Sequence, residues 1–143
     1  MTEKLKILTK GIVPSYQTSG SCGIDLYCAN KEDIIINPNE SAKIDTGIKI
    51  AIPEGYLGAI YPRSSTGVKK NLMLANTVGI IDSDYRGEIM VYFYNYGKNP
   101  QVIKNGDRLA QLVIQPYSRM EIELVDKLDD TDRGDGGFGS TGR

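Results

Sequence analysis

The chain has 143 residues, is 40% hydrophobic and carries 17 basic against 18 acidic side chains, which suits one domain with its own core. A net charge of −1 argues against a protein that grips nucleic acid by neutralising many phosphates. With no histidine and only Cys22 and Cys28, histidine-based triads, imidazole zinc sites and four-thiolate sites are excluded, leaving carboxylates, hydroxyls, Arg and Lys, with an oxygen-bound cation if any.

Ile, Val and Thr outnumber Ala, Leu and Met, so local preference leans toward strands. Residues 1–10 alternate charged and apolar side chains and lack a signal-peptide core. No apolar run approaches the roughly 20 residues of a membrane helix. A cytoplasmic protein without membrane attachment is expected. Leu5-Lys6-Ile7-Leu8 opens an extended pattern, Ile34-Ile35-Ile36 is a short apolar run, and residues 43–50 continue the alternation. Residues 88–94 and 121–125 read as further strands, and none of these segments carries a helical stripe.

Turn chemistry recurs between them: Asn37-Pro38-Asn39, Pro53-Glu54-Gly55, Tyr85-Arg86-Gly87, the stretch 96–100 and Asn105-Gly106-Asp107. Short strands with a turn every ten or so residues indicate an all-β sandwich, barrel or jelly roll. One helical turn is expected over residues 66–71, with Ser65 as its N-cap. The sequence turns polar from Asp126, and five of the sixteen glycines fall between 134 and 142. That tail is either a disordered terminus or a segment whose backbone N–H groups cradle phosphate, with Arg133, Ser140 and Thr141 as donors and Phe138 as a stacking lid.

Four further segments carry polar residues suited to chemistry. Asp25 lies between Gly23 and a strand-like run, a place where an isolated Asp is usually a turn or cap residue. Pro62-Arg63-Ser64-Ser65 combines a guanidinium and hydroxyls at a helix start, where an anion can bind. The run from Asn76 through Val78, Gly79, Ile81 and Asp82 to Tyr85 reads as a hairpin with an acidic turn. Gly106-Asp107-Arg108-Leu109-Ala110-Gln111-Leu112 reads as a strand after an Asn-Gly-type turn.

In this order, and with this tail, the segments resemble the trimeric deoxyuridine triphosphatases (dUTP diphosphatases, dUTPases). Five family motifs have counterparts here: Cys22-Gly-Ile-Asp-Leu, Pro62-Arg-Ser-Ser, Gly79-Ile-Ile-Asp-Ser-Asp-Tyr-Arg-Gly, Gly106-Asp-Arg-Leu-Ala-Gln-Leu and Arg133-Gly-Asp-Gly-Gly-Phe-Gly-Ser-Thr-Gly. The match spans about residues 5–142. Cys22 stands where Ala is more usual, read here as a small, buried-type exchange. Ser65 stands where many members have Gly.

The resemblance implies a single-domain distorted jelly roll over residues 1–125 with at most one short helix. A flexible tail over 126–143 closes over the active site. It implies hydrolysis of dUTP to dUMP and pyrophosphate, which limits uracil in DNA and supplies dUMP for dTMP synthesis. Asp82 matches the carboxylate that activates the attacking water, and Gln111 the residue that helps position it. Asp25 matches the residue that reaches Mg²⁺ through water. Arg63, Ser64 and Ser65 match the phosphate-binding segment, and Tyr85 the aromatic beneath the deoxyribose. Asn76 and the backbone at Val78, Gly79 and Ile81 match the uracil pocket. Arg133, Phe138, Gly139, Ser140 and Thr141 match the tail that binds phosphates and stacks on the base. The family is homotrimeric, with each site shared between subunits and no nucleic-acid or membrane partner. The related deoxycytidine triphosphate deaminases fit less well, because the 81–87 run and the full tail favour the dUTP reading.

Overall fold

A computed structural model describes residues 4–139. Eleven strands and one short helix are present among them: β1 (Lys6–Thr9), β2 (Gly23–Tyr27), β3 (Ile34–Ile36), β4 (Ser41–Asp45), β5 (Ile48–Ala51), β6 (Tyr56–Pro62), α1 (Ser64–Lys70), β7 (Leu72–Leu74), β8 (Gly79–Ile81), β9 (Met90–Asn95), β10 (Gln101–Ile103) and β11 (Arg108–Pro116). All ladders are antiparallel. No helix among the described residues is long and apolar enough to cross a membrane.

The pairings nest. β2 pairs with β11, β3 with β10 and β4 with β9. The chain therefore doubles back as one long ribbon, which rolls up around its apolar side, and that is how a jelly roll is made. β6 and β8 extend the sheet begun by β2 and β11, while β7 extends the sheet of β4 and β9. Side chains from these two sheets and from the β3–β10 pair meet in one core, in which Ile36, Phe93, Leu72 and Ile103 are wholly buried. The expected all-β jelly roll with one short helix is the observed fold.

Local chemistry explains most element boundaries. β9 alternates as its sequence does, with Val91, Phe93 and Asn95 inward and Met90 and Tyr92 outward, the period-2 signature of a half-buried strand. The run 43–50 is two strands, because Gly47 adopts φ +70° and turns the chain between β4 and β5. Such a conformation favours glycine. α1 ends at Asn71, in the left-handed region, with Lys69 and Lys70 in its last turn, where cations suit the helix dipole.

Three local expectations differ from the structure. α1 begins at Ser64, so its N-cap is Arg63 and Ser65 lies inside the first turn. β8 and β9 do not form a hairpin: β8 pairs with β6, β9 pairs with β4 and β7, and the acidic turn joins two sheets. Residues 121–125 alternate as a strand would, yet they form no ladder. Ile122 and Leu124 stand 87% and 93% exposed.

Both cysteines are free thiols, and Cys22 is exposed rather than buried. Cys28 lies in the core. Burial pushes its thiol pKa up, and the negative Asp107, Asp45 and Asp33 push the same way against one opposing hydrogen bond at Asn30. A raised pKa means less thiolate at a given pH, and thiolate is the reactive form. A thiol-specific reagent at pH 8 should therefore modify one cysteine quickly in the native protein, identified as Cys22 by peptide mapping. Cys28 should react only on denaturation; two equally fast native thiols would contradict its placement.

Candidate active site

The first group of site residues gathers where β2, β11 and the start of α1 meet. Along β2, Leu26 faces the core, so alternation turns Asp25 to the opposite side of the sheet. Asp25 is nevertheless only 5% exposed, because two arginines cover it. Arg63 Nε lies 3.3 Å from Oδ1, and Arg108 Nη1 lies 3.2 Å from Oδ2. Asp25 is thus a mid-strand, ion-paired residue rather than a turn or a cap. One carboxylate between two guanidiniums leaves this corner with a local excess of positive charge.

Arg63 and the two serines after it are fixed by β11. The Arg63 N–H donates to the Leu109 carbonyl at 3.0 Å, and Thr66 Oγ1 donates to the same oxygen at 2.8 Å. Ser64 is exposed and Ser65 half-buried in the first turn of α1, which has neither an acidic residue nor a side-chain cap. Its leading N–H groups are therefore available to an anion. Gln111 sits in β11 directly opposite Asp25 on one side and Tyr61 on the other. Its Nε2 donates to the Pro62 carbonyl at 3.3 Å. A Cβ added at Gly23 would lie 2.5 Å from Gln111 Oε1 and 3.2 Å from its Cβ, so the missing side chain at position 23 is what admits the amide.

The second group lies on and around β8. Asn76 and Val78 are exposed on the approach, and Gly79 and Ile81 are ladder residues opposite Ile60 and Gly58. Asp82 is exposed on the turn that follows, closed by the Tyr85 N–H on the Asp82 carbonyl at 3.2 Å. The Tyr85 hydroxyl donates to the Glu88 carbonyl at 2.9 Å, which tethers the ring while leaving it 39% exposed. Arg86 Nη1 donates to the Ser83 and Tyr85 carbonyls at 2.6 and 2.9 Å and stiffens the same turn. An open cleft of about 720 Å³ beside it is lined by Asp82, Asp84 and Arg86 together with Glu54, Tyr117 and Arg119.

These two groups do not meet within one chain. Ile81 is opposite Gly58 on β6, and Gln111 is opposite Tyr61 on the other edge of the same strand. Asp82 and Gln111 are thus four residues apart along β6 and two strand spacings across it, roughly 16 Å at 3.3 Å per residue and 4.8 Å per strand. The tail is separate again. Arg133 Nε donates to its neighbour, the Gly136 carbonyl, at 2.8 Å, and Phe138 is fully exposed beside Gly139. Ser140 and Thr141 lie outside the described residues.

Among the described residues no three His, Cys, Asp or Glu side chains converge on a metal site. Both Asp25 oxygens already face guanidinium groups. This donor set does not fit an all-protein cage. It does fit a hydrated Mg²⁺ carried mainly by substrate phosphates, since that ion keeps several waters and takes one or two carboxylates. Arg108 and Gly23 also shape the site, and no local pattern marks either, because their roles depend on partners 83 and 88 positions away in the chain.

The profile of the dUTPase family matches residues 9–142. Deoxyuridine 5'-triphosphate nucleotidohydrolase of Finegoldia magna is 47% identical over 141 residues, covering 97% of this chain and 99% of that protein. The protein of the same name from Escherichia phage T5 is 44% identical over 145 residues, covering 97% of each chain. Among solved structures, a Staphylococcus bacteriophage 80alpha dUTPase variant with dUpNHpp superposes with a TM-score of 0.90 at 27% identity, over 99% of this chain and 100% of that one. A dUTPase variant from phage phi11 of S. aureus, whose structure reveals the coordination of a structural Mg(II) ion, has a TM-score of 0.80 at 25% identity, over 87% and 98% of the two chains.

The contact between position 23 and Gln111 can be tested without any substrate. Gly23→Ala should cost about 1–3 kcal/mol in urea unfolding, as overpacking does. Adding Gln111→Ala to the same chain should restore most of that loss. A fully tolerated Gly23→Ala would show that the amide does not need the space.

Proposed function

The chain belongs to the dUTPase family, and on that premise we propose that it hydrolyses dUTP to dUMP and pyrophosphate by attack of an Asp82-activated water on the α-phosphorus. The observation that carries the mechanism is a contrast between two carboxylates. Asp25 is buried and held by two arginines, whereas Asp82 is exposed and takes part in no ion pair among the described residues. In a chain without histidine, a carboxylate that is not already committed is the suitable general base.

Around that base the remaining roles follow from chemistry. Arg63, with the hydroxyls and N–H groups of Ser64 and Ser65, binds the triphosphate and stabilises charge as pyrophosphate leaves. Gln111 orients the water with its amide. Asp25 would reach a Mg²⁺ held mainly by the triphosphate through water, and that ion would supply neutralisation of the phosphate charge. The ring of Tyr85 packs beneath the deoxyribose, where a 2′-hydroxyl would collide with it. Asn76 and the backbone of Val78, Gly79 and Ile81 enclose uracil. The tail from 126 onward closes over the nucleotide, with Phe138 and Gly139 on the base and Arg133, Ser140 and Thr141 on the phosphates. Closure of this kind excludes bulk water and completes the site.

Because Asp82 and Gln111 are roughly 16 Å apart in one chain at ordinary strand spacings, one chain cannot bring both to one water. We infer a homotrimer in which each site takes Asp82 from one subunit and Gln111 from another. Exposed Val78, Ile80, Ile122 and Leu124 supply apolar surface for such contacts, as a closed symmetric assembly needs.

Two measurements test this reading. Asp82→Asn should keep affinity for a non-hydrolysable dUTP analogue while pyrophosphate release falls about 10²–10⁴-fold, the usual span for acid–base catalysis. Near-normal turnover would remove Asp82 from its role. For the shared site, Asp82→Asn and Gln111→Ala chains should each be nearly inactive alone. Refolded together in equal amounts, they should regain about a quarter of normal activity, the fraction of sites that draw both intact residues from different subunits. A mixture no more active than its components would place each site within a single chain.

A further inference from the structure

Asp25 has two cationic partners where charge balance calls for one. Its side chain is 8% exposed, and each of its oxygens faces a different arginine. The arginines are joined to one another as well, because Arg63 Nη1 donates to the Arg108 carbonyl at 3.4 Å. The three residues therefore close a ring. Arg63 belongs to the proposed phosphate-binding segment, and Arg108 lies outside it, on β11.

A guanidinium offers five N–H donors in a rigid fork, well matched to phosphate. If Arg63 were the only partner of Asp25, turning toward a triphosphate would leave a buried carboxylate without its counter-charge, which is strongly unfavourable. Arg108 meets the opposite carboxylate oxygen, from the first residue of β11. The β2–β11 register slips there between Arg108 and Ala110, and an irregularity of this kind re-aims a side chain. The backbone of Arg63 is pinned to Leu109, so only its side chain has to turn.

We propose that Arg108 is a positioning residue: it keeps Asp25 neutralised and so releases the Arg63 guanidinium to the phosphates of the incoming nucleotide. The inference rests on reading the site as one for a nucleoside triphosphate.

The test compares the unmodified protein with Arg108→Gln, Arg108→Lys, Asp25→Asn and the Asp25→Asn/Arg108→Gln double variant. Each is titrated with a non-hydrolysable imido analogue of dUTP in EDTA, which removes any part Asp25 plays toward a metal-bound water. Deoxyuridine, which has no phosphate, is titrated in parallel. Arg108→Gln should weaken the analogue by about tenfold or more, the scale of one charged hydrogen bond, while deoxyuridine affinity holds within about twofold. Arg108→Lys, which keeps the charge, should recover much of the loss. The double variant should bind the analogue more tightly than Arg108→Gln, because no anion remains to retain Arg63. Unchanged analogue affinity in Arg108→Gln, equal loss of both ligands, or a double variant no better than Arg108→Gln would each overturn the proposal. Should Arg108→Gln fail to fold, the comparison of Asp25→Asn with the double variant decides: equal affinity supports the release role, and a tenfold gap overturns it. If the unmodified protein does not bind the analogue, the triphosphate reading itself falls and the inference falls with it.

Discussion

The group of candidate site residues around Asp25 and Arg63 depends on β11 hydrogen-bonding to two strands at once. Its nine residues pair with β2 on one edge and β6 on the other. Asp25 is brought across from the first strand of the sheet and Arg63 from the end of β6, and Gln111 stands between them. The Leu109 carbonyl alone accepts from both Arg63 and Thr66, so the first turn of α1 is an appendage of β11 rather than an independent helix. A seven-residue helix is too short to persist by itself in water. Tertiary anchoring is what holds the serines in place.

This anchoring explains what the sequence revealed and what it concealed. β9 and the Asn105-Gly106-Asp107 turn were legible because alternation and turn chemistry are local properties. The motif order, and with it the family and the jelly roll, was legible for the same reason. Ser65 has the local chemistry of a cap, but the helix start is set by Arg63, pinned from β11 and β2. The 79–94 segment has the local pattern of a hairpin, yet β8 pairs with β6 and β9 with β4 and β7. Residues 121–125 alternate correctly and still have no ladder, since alternation makes no strand where no neighbouring edge pairs with it. Arg108 and Gly23 stayed hidden because each acts on a residue far off in sequence.

The site's electrostatics divide labour between carboxylates by burial and pairing rather than by residue type. Asp25 is surrounded by cations and shielded from water, which suits a fixed charge. Asp82 stands at a turn braced by Tyr85 and Arg86, with no cation bound to its side chain among the described residues. The fold keeps these two acids on different parts of one subunit.

The nested pairing has a kinetic side. β2 is made well before its partner β11, the last strand among the described residues. The Arg108–Asp25 contact joins residues 83 apart in sequence. Folds ruled by such distant contacts close their loops late and fold slowly. During synthesis β2, β3 and β4 must wait for β11, β10 and β9, whereas β5 already has its partner β1. A nascent chain arrested before β11 would therefore lack the strand that joins β2 to β6, and both would keep an open edge.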